Sequence, residues 1–224
     1  MYLKRLAKSK FMNLTFEEVL PLRGPAKNLV VMLHGVGSNA KDLISIAPYM
    51  RQSLEHTYFI SLNAPNKYDM APFGYQWFSL KNRELSVLQQ GLADAVPGVV
   101  KFLDAKTKDL GLKFEDVFLI GFSQGSMVST HLAMSMNKKL AGVIGMSGSI
   151  IPRPVFEGNN QTPICLMHGT DDEVISADAM YRGEKYLGGL GFDVQAHVIP
   201  FLGHSIDVKC IKIAVNFIKN HHAG

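Results

Sequence analysis

The stretch Gly121-Phe122-Ser123-Gln124-Gly125 decides the fold, because it lies between an apolar run and a segment with helical spacing. The run before it, Val117 to Ile120, is short, β-branched and aromatic, as in a strand buried on both faces. The segment after it, from Gln124 to Asn137, repeats its apolar residues at helical intervals. A serine on a sharp strand-to-helix turn projects its hydroxyl above the end of the sheet, and flanking glycines admit neighbouring backbone. We therefore predict a nucleophile elbow with Ser123 as the nucleophile.

Strand-like and helix-like segments alternate from Asn28 to the end of the chain. The predicted strands, besides the one at the elbow, are Leu29 to Leu33, Tyr58 to Leu62, Leu140 to Met146, Pro163 to Met167 and Val194 to Ile199. The predicted helices, besides the one at the elbow, are Asp42 to Leu54, Leu85 to Leu103 with a kink at Pro97-Gly98 and a stop at Gly111, Ala177 to Leu187, and Ile206 to Lys219. This alternation predicts an α/β fold with a mostly parallel, doubly wound sheet and helices on both faces. A length of 224 residues fits a single domain, residues 1–224.

The positive charge of the chain is concentrated at its start. The formal net charge is +4, and residues 1–11 carry four basic and no acidic side chains, so the remainder has 19 of each sign. We interpret residues 1–11 as a basic, flexible tail. Attraction to an anionic lipid surface would make it functional. A frayed, solvated terminus, or a start codon misassigned ahead of Met12, would leave it without a role.

Cysteine content and the lengths of apolar runs indicate the cellular compartment of the protein. Cys165 and Cys210 fall in a predicted strand and the predicted last helix, and such sparse use favours a reducing compartment. No apolar run approaches the ~20 residues that span a bilayer. The N-terminus lacks the continuous apolar segment of a secretory signal. We therefore expect the cytoplasm, with peripheral membrane contact as an option and no nucleic-acid partner.

A serine nucleophile needs a histidine base and a carboxylate, which follow the elbow in the order serine, acid, histidine. His204 lies on a loop after the last predicted strand, where a base can reach back to the serine. Asp171, Asp172 and Glu173 follow the strand that ends at Met167, and we favour Asp172, with the other two left open. The remaining candidate histidines lack that loop position; they are His34, His131, His168, His221 and His222.

The loop His34-Gly35-Val36-Gly37 follows an early buried strand, where an elbow of this kind needs a second oxyanion donor. We predict that the backbone N–H groups of Val36 and Gln124 form the oxyanion hole. We interpret His34 as structural, because it directly follows a buried strand and precedes the serine in the chain.

The segment 66–82 has no clean helix or strand period and is rich in aromatic residues, so we predict a long functional loop, named here the aromatic loop. Met70 and Phe73 are the preferred walls of an apolar substrate groove. Trp77 either joins them or fills the core beneath the loop. Ile150 and Ile151, on a loop after a predicted parallel strand, are further candidates, because ligands bind at the carboxyl edge of such sheets.

We predict neither a metal nor a cofactor, since no ligand spacing and no phosphate-binding glycine motif occurs. The leading functional hypothesis is a serine hydrolase of carboxylic esters or thioesters with an apolar acyl chain, acting on small-molecule ester or lipid-like substrates. The alternative is a catalytically silent fold that binds a lipid or a protein through the aromatic loop and the basic tail. We expect a monomer, or a homodimer paired through an exposed apolar loop.

Taken together, several motifs resemble the phospholipase/carboxylesterase family of α/β-hydrolases. They are Leu33-His34-Gly35-Val36-Gly37, Asn63-Ala64-Pro65, Trp77-Phe78, the elbow, Ser147-Gly148, His168-Gly169 with Asp172, and Gly203-His204. The resemblance implies the α/β-hydrolase fold, esterase or thioesterase activity, Asp172 as the acid, and oxyanion donors at Val36 and Gln124. Ser126 stands where many members have glycine. Trp77-Phe78-Ser79-Leu80 lacks the Asp usual in the thioesterase branch and is similar to a bacterial esterase branch.

Overall fold

The computed structural model describes the backbone of residues 7–8 and all of residues 14–153 and 161–222. The strands are β1 Ala7–Lys8, β2 Thr15–Val19, β3 Asn28–Leu33, β4 Thr57–Leu62, β5 Asn66–Lys67, β6 Tyr75–Gln76, β7 Val117–Phe122, β8 Gly142–Met146, β9 Ile164–Gly169 and β10 Val194–Ile199. The α-helices are α1 Ala40–Ile44, α2 Ala47–Arg51, α3 Leu85–Leu110, α4 Gln124–Ser135, α5 Asp178–Gly189 and α6 Val208–His221.

Eight of these strands form the central sheet, in the order β1-β2-β4-β3-β7-β8-β9-β10. The six strands from β4 to β10 in that order are parallel, and β2 and β1 extend the sheet in antiparallel fashion. Strands β3, β4, β8 and β9 are buried along their whole length, as continuous apolar runs in parallel sheets require. The predicted fold class is confirmed. The two antiparallel strands were not predicted from the sequence.

Helices cover both faces of the sheet. One buried cluster joins the sheet to α3, α4 and α5 through residues such as Val99, Leu132 and Leu187. The other joins the opposite face to α1, α2 and α6 through residues such as Met50 and Ile218. The buried apolar residues of the strands therefore face one of two apolar layers.

Two predicted segments differ in detail from the structure, and the predicted stop of the long helix at Gly111 is confirmed. The predicted helix 42–54 is two short helices, because Pro48 opens α2 and has no N–H to continue the hydrogen bonding of α1. Helix α3 continues through Pro97 to a left-handed cap at Gly111. The aromatic loop contains the β5–β6 hairpin. Of the predicted basic tail, Ala7–Lys8 pairs with β2, and the rest lies outside the described residues.

The ends of four parallel strands carry the candidate site. Strands β3, β7, β9 and β10 lead at their carboxyl ends into the loops that contain Val36, Ser123, Asp172 and His204, respectively. Ligands bind at this edge of open α/β sheets. Within residues 14–153 and 161–222, no helix is both long enough and apolar enough to cross a bilayer.

Candidate active site

The elbow lies between β7 and α4. Ser123 has φ 53° and ψ −115°, a conformation that costs a residue other than glycine on the order of 1–3 kcal/mol and is typical of functional turns. A Cβ on Gly121 would lie 2.3 Å from the carbonyl oxygen of Gly125, and a Cβ on Gly125 would lie 1.8 Å from that of Leu33. Both positions therefore require glycine, and the turn has the geometry that the motif predicts.

Asp172 and His204 are joined across two loops. Nδ1 of His204 lies 2.8 Å from Oδ2 of Asp172, and Oδ1 accepts the backbone N–H groups of Val174 and Ile175, each at 2.9 Å. Burial would raise the pKa of the Asp172 carboxyl, but the Ile175 N–H and His204 outweigh it and hold that pKa below its usual value. The ionised carboxylate therefore accepts the Nδ1 proton, which leaves the lone pair on Nε2 of His204. The His204 ring lies 5.0 Å from that of Phe122, next to the nucleophile.

The two competing acids face elsewhere. Asp171 and Glu173 are exposed, and Oδ1 of Asp171 accepts the hydroxyl of Thr170 at 2.7 Å. The side chain of Asp172, by contrast, is fully buried against His204. Of the three carboxylates that the sequence offers, the fold brings Asp172 to the histidine.

The loop that carries Val36 lies beside the serine. A Cβ on Gly35 would lie 3.2 Å from Cβ of Ser123. The aromatic loop holds it there, because the N–H of Gly37 donates to the carbonyl of Tyr75 at 2.8 Å and the N–H of Tyr75 donates to that of Ser38 at 2.9 Å. The N–H of Val36 has no acceptor among the described residues, so it is available to an oxyanion.

Gln124 contributes to the site with its backbone and its side chain. Its backbone N–H, like that of Val36, has no acceptor in the described part of the chain. Its fully buried side chain accepts the N–H of Trp77 at 2.9 Å and donates to the carbonyl of Phe78 at 2.7 Å. The residue after the serine thus fixes the end of the aromatic loop. The sequence analysis missed this side-chain role, since nothing in the motif indicates it.

The predicted substrate residues divide into two groups. Met70 and Phe73 are 61% and 71% exposed, as a groove wall or rim would be. Of the two alternatives for Trp77, the structure favours the core, because its indole is 2% exposed and donates from Nε1 to the carbonyl of His34 at 2.9 Å. It fills the core and supports the loop before Val36. Ile151 also joins the core, and Ile150 is half-buried and lies against Gly183 of α5.

His34 makes contacts that stabilise the fold near the Val36 loop. Its Nδ1 lies 2.7 Å from the carbonyl of Gly35, and its Nε2 lies 3.0 Å from the N–H of Ala64. Nδ1 must donate and Nε2 must accept, so the ring is neutral. Burial lowers the pKa of His34 against the opposing influence of the Gly35 carbonyl and Asp42. Its contacts tie the Val36 loop to the segment after β4.

Of the other candidate histidines, His168 is the one that contacts the Asp172–His204 pair within the described residues. His131 is buried in α4, and burial together with Arg153 lowers its pKa to about 4. His221 contacts the carbonyl of Phe217 near the end of α6. His168, at the end of β9, lies 3.1 Å from Oδ2 of Asp172 through Nε2. The sequence analysis set His168 aside, although its position four residues before Asp172 was a signal for this contact.

The described residues contain no group of three or more His, Cys, Asp or Glu side chains placed to hold a metal ion. Cys165 and Cys210 are buried free thiols, and burial raises the pKa of each, to about 12 and about 11. They are therefore poor nucleophiles at neutral pH.

A strained serine, a buried acid–histidine pair and two free backbone donors at one sheet edge suit acyl transfer, and comparison with known proteins agrees. The profile of the phospholipase/carboxylesterase family matches residues 14–222. The chain belongs to that family. Family membership makes the protein a hydrolase of carboxylic esters.

Individual relatives span most of the chain. The acyl-protein thioesterase 1 of Yarrowia lipolytica is 30% identical over 90% of this chain and 95% of its own length. The esterase YpfH of Escherichia coli is 25% identical over 87% of this chain and 83% of its own. The crystal structure of esterase PE8 is 31% identical, with a TM-score of 0.85 over 91% of this chain and 96% of its own. The similarity therefore extends over about nine-tenths of the chain.

Proposed function

We propose that the protein is a serine hydrolase that cleaves carboxylic esters or thioesters with an apolar acyl chain, through a Ser123-His204-Asp172 triad and an acyl-enzyme. The observation that carries this proposal is the 2.8 Å contact between His204 Nδ1 and Asp172 Oδ2, made at the same sheet edge as the strained Ser123.

In the first half of the reaction, Nε2 of His204 takes the proton of the Ser123 hydroxyl as Oγ attacks the carbonyl carbon. The buried Asp172 carboxylate stabilises the imidazolium that forms. The tetrahedral oxyanion is placed between the free N–H groups of Val36 and Gln124, where preorganised donors have their largest effect. His204 then returns the proton to the departing alcohol or thiol, and the acyl group remains on Oγ.

In the second half, a water molecule takes the place of the leaving group. His204 removes its proton, the same two N–H groups hold the second oxyanion, and Ser123 is released with the carboxylic acid. This cycle uses side chains and backbone of the chain alone.

The aromatic loop supports the choice of an apolar acyl chain. Met70 and Phe73 are exposed on the same loop whose hairpin holds the Val36 loop, so an acyl chain bound near the oxyanion hole can contact them. Short esters, lysophospholipids and acyl thioesters all fit this description. The names of the relatives, which include both esterase and acyl-protein thioesterase, support the same range.

We also infer action in the cytoplasm, on small-molecule or lipid-like substrates. The two buried free thiols agree with a reducing compartment. Peripheral membrane contact and the choice between monomer and homodimer remain predictions, to be tested by vesicle sedimentation and by light scattering at two concentrations.

The test combines covalent labelling with turnover. Intact-mass spectrometry after treatment with a serine-directed fluorophosphonate should show one adduct on the wild type and none on Ser123→Ala. Hydrolysis of p-nitrophenyl acetate, butyrate and octanoate should vary with chain length and vanish with Ser123→Ala. Ser53→Ala, at an exposed serine before β4, is the matched control and should behave as wild type.

Undiminished hydrolysis by Ser123→Ala would reject the triad. Folded wild type that takes no label and hydrolyses no ester, but binds lipid saturably, would favour the silent binding module instead.

A further inference from the structure

A second imidazole contacts the acid of the proposed triad. Nε2 of His168 lies 3.1 Å from Oδ2 of Asp172, the same oxygen that receives His204. Nε2 of His168 also lies 2.7 Å from the carbonyl oxygen of Ile175. His168 thus spans the turn from Asp172 to Ile175 and contacts it at both ends.

These contacts fix the proton on one ring nitrogen. A carbonyl oxygen can only accept, so Nε2 of His168 carries the hydrogen and donates it to Ile175. Oδ2 of Asp172 lies beside this N–H as a close contact. Nδ1 is buried and has no partner in the described part of the chain. In the neutral ring it holds a lone pair, whereas a proton there would be a buried donor without an acceptor, which is costly.

The two histidines that contact Asp172 differ in their exposure. The side chain of His204 is 18% exposed and that of His168 is 1% exposed. The ring of His204 is therefore accessible to a bound substrate, while that of His168 is enclosed and donates within the protein. The carboxylate of Asp172 accepts three hydrogen bonds, from the N–H groups of Val174 and Ile175 and from His204, and Nε2 of His168 is a close contact beside them.

We propose that His168 is a positioning residue for the hydrolase reaction: its Nε2–H donates to the Ile175 carbonyl and locks the turn whose N–H groups hold the Asp172 carboxylate in the orientation that aligns His204. This inference rests on the proposed function, because it assigns His168 an effect that passes through Asp172. His168 itself does not touch the substrate.

Loss of this donor should reduce turnover without affecting substrate binding. A hydrogen bond between neutral groups corresponds to ~2- to 10-fold in rate when its effect is realised in the transition state. We expect His168→Leu to lower kcat for p-nitrophenyl butyrate by about that factor. KM should change by less than about twofold, and His168→Gln, which retains a donor, should recover most of the loss.

A double-mutant cycle separates positioning from a merely structural role. His168→Leu is compared with wild type, and His168→Leu/Asp172→Ala with Asp172→Ala, by ester hydrolysis and by the rate of fluorophosphonate labelling. If His168 acts through Asp172, the Leu substitution has no further effect once Asp172 is gone. An equal loss in both backgrounds, or no loss in the first, would overturn the inference.

The single variant Asp172→Ala distinguishes the two levels of the proposal. Unchanged activity there would overturn the triad and this inference together, whereas a large loss there with an additive effect of His168→Leu would overturn this inference alone. Circular dichroism establishes that each variant is folded. If His168→Leu does not fold, His168→Asn replaces it in the cycle, because the asparagine amide is too short to reach the Ile175 carbonyl.

Discussion

Gly74→Ala should inactivate the enzyme without touching the triad. Gly74 has φ +81°, and a Cβ there would lie 2.0 Å from the carbonyl oxygen of Gly37 and within 2.9 Å of two more backbone atoms of that residue. The methyl group therefore meets backbone of the Val36 loop, which no side-chain rotation can relieve. The hairpin and that loop must separate until the 2.0 Å contact reaches at least about 3 Å, the closest distance at which such atoms rest.

The size of the effect follows from that separation. A displacement of about 1 Å lengthens the 2.8 Å and 2.9 Å hydrogen bonds that join Gly37 and Ser38 to Tyr75 beyond the range of a hydrogen bond. The Val36 N–H moves with its loop, and misplacing or losing one oxyanion donor costs about 10²- to 10³-fold in kcat. Unfolding should become easier by about 2–4 kcal/mol, from two hydrogen bonds and the strain of alanine at positive φ.

Gly111→Ala is the matched control. Gly111 also has positive φ, +67°, but a Cβ there would meet nothing within 4 Å. It should show the backbone strain of about 1–2 kcal/mol in urea unfolding, with kcat unchanged. Turnover of p-nitrophenyl butyrate is measured at a temperature where both variants are folded. A folded Gly74→Ala whose kcat lies within about threefold of the control would refute the idea that the hairpin holds the oxyanion loop.

Gln124→Met keeps the backbone N–H and removes two buried hydrogen bonds to the aromatic loop. The free energy of unfolding in urea should fall by about 2–5 kcal/mol, and kcat should fall as well. An unchanged unfolding midpoint would contradict the role of the Gln124 side chain in holding the aromatic loop. Burial and Arg153 lower the pKa of His131 to about 4, so the unfolded chain binds a proton here more readily than the folded protein does. The free energy of unfolding should therefore fall by about 3 kcal/mol as the pH drops from about 6.5 through 4. His131→Leu should therefore flatten the decline of unfolding free energy below pH 6.5, and an unaltered slope would count against this. Met70→Ser and Phe73→Ser should reduce turnover of the octanoate ester relative to the acetate ester at constant thermal stability, because both side chains are largely exposed; an unaltered chain-length preference would remove them from the substrate site.

Local sequence patterns were enough to predict the central parallel sheet. Strands such as β3 and β9 are buried on both faces, so their apolar runs are continuous and stand out. Strand β2, Thr15–Val19, is half-buried and carries two glutamates, so no such run marks it. The hairpin strands β5 and β6 have two residues each, which is too short for any period to be visible.

The parts of the site that could not be predicted depend on contacts between distant segments. The Gln124 side chain finds its partners 46 and 47 residues away, and no motif records that distance. Trp77 lies in an aromatic-rich loop and was therefore a candidate groove residue, but its indole N–H donates to the buried backbone carbonyl of His34. Aromatic content thus predicted a functional loop without revealing which rings face inward. Chain order left three adjacent acids open and the family resemblance favoured Asp172, and the turn that buries Asp172 brings it to His204.

The β5–β6 hairpin has a fixed stem and an unattached tip. The N–H of Tyr68 donates to the carbonyl of Gly74 at 3.1 Å, the strand after it is joined to the Val36 loop, and residues 70–73 make no hydrogen bond within the described part of the chain. Sequence change can therefore accumulate at these four positions while the catalytic geometry is inherited intact. A library that randomises Met70 to Phe73 and leaves the stem alone should yield folded enzymes with altered acyl preference, and this segment is where family members would be expected to diverge as they acquire new substrates.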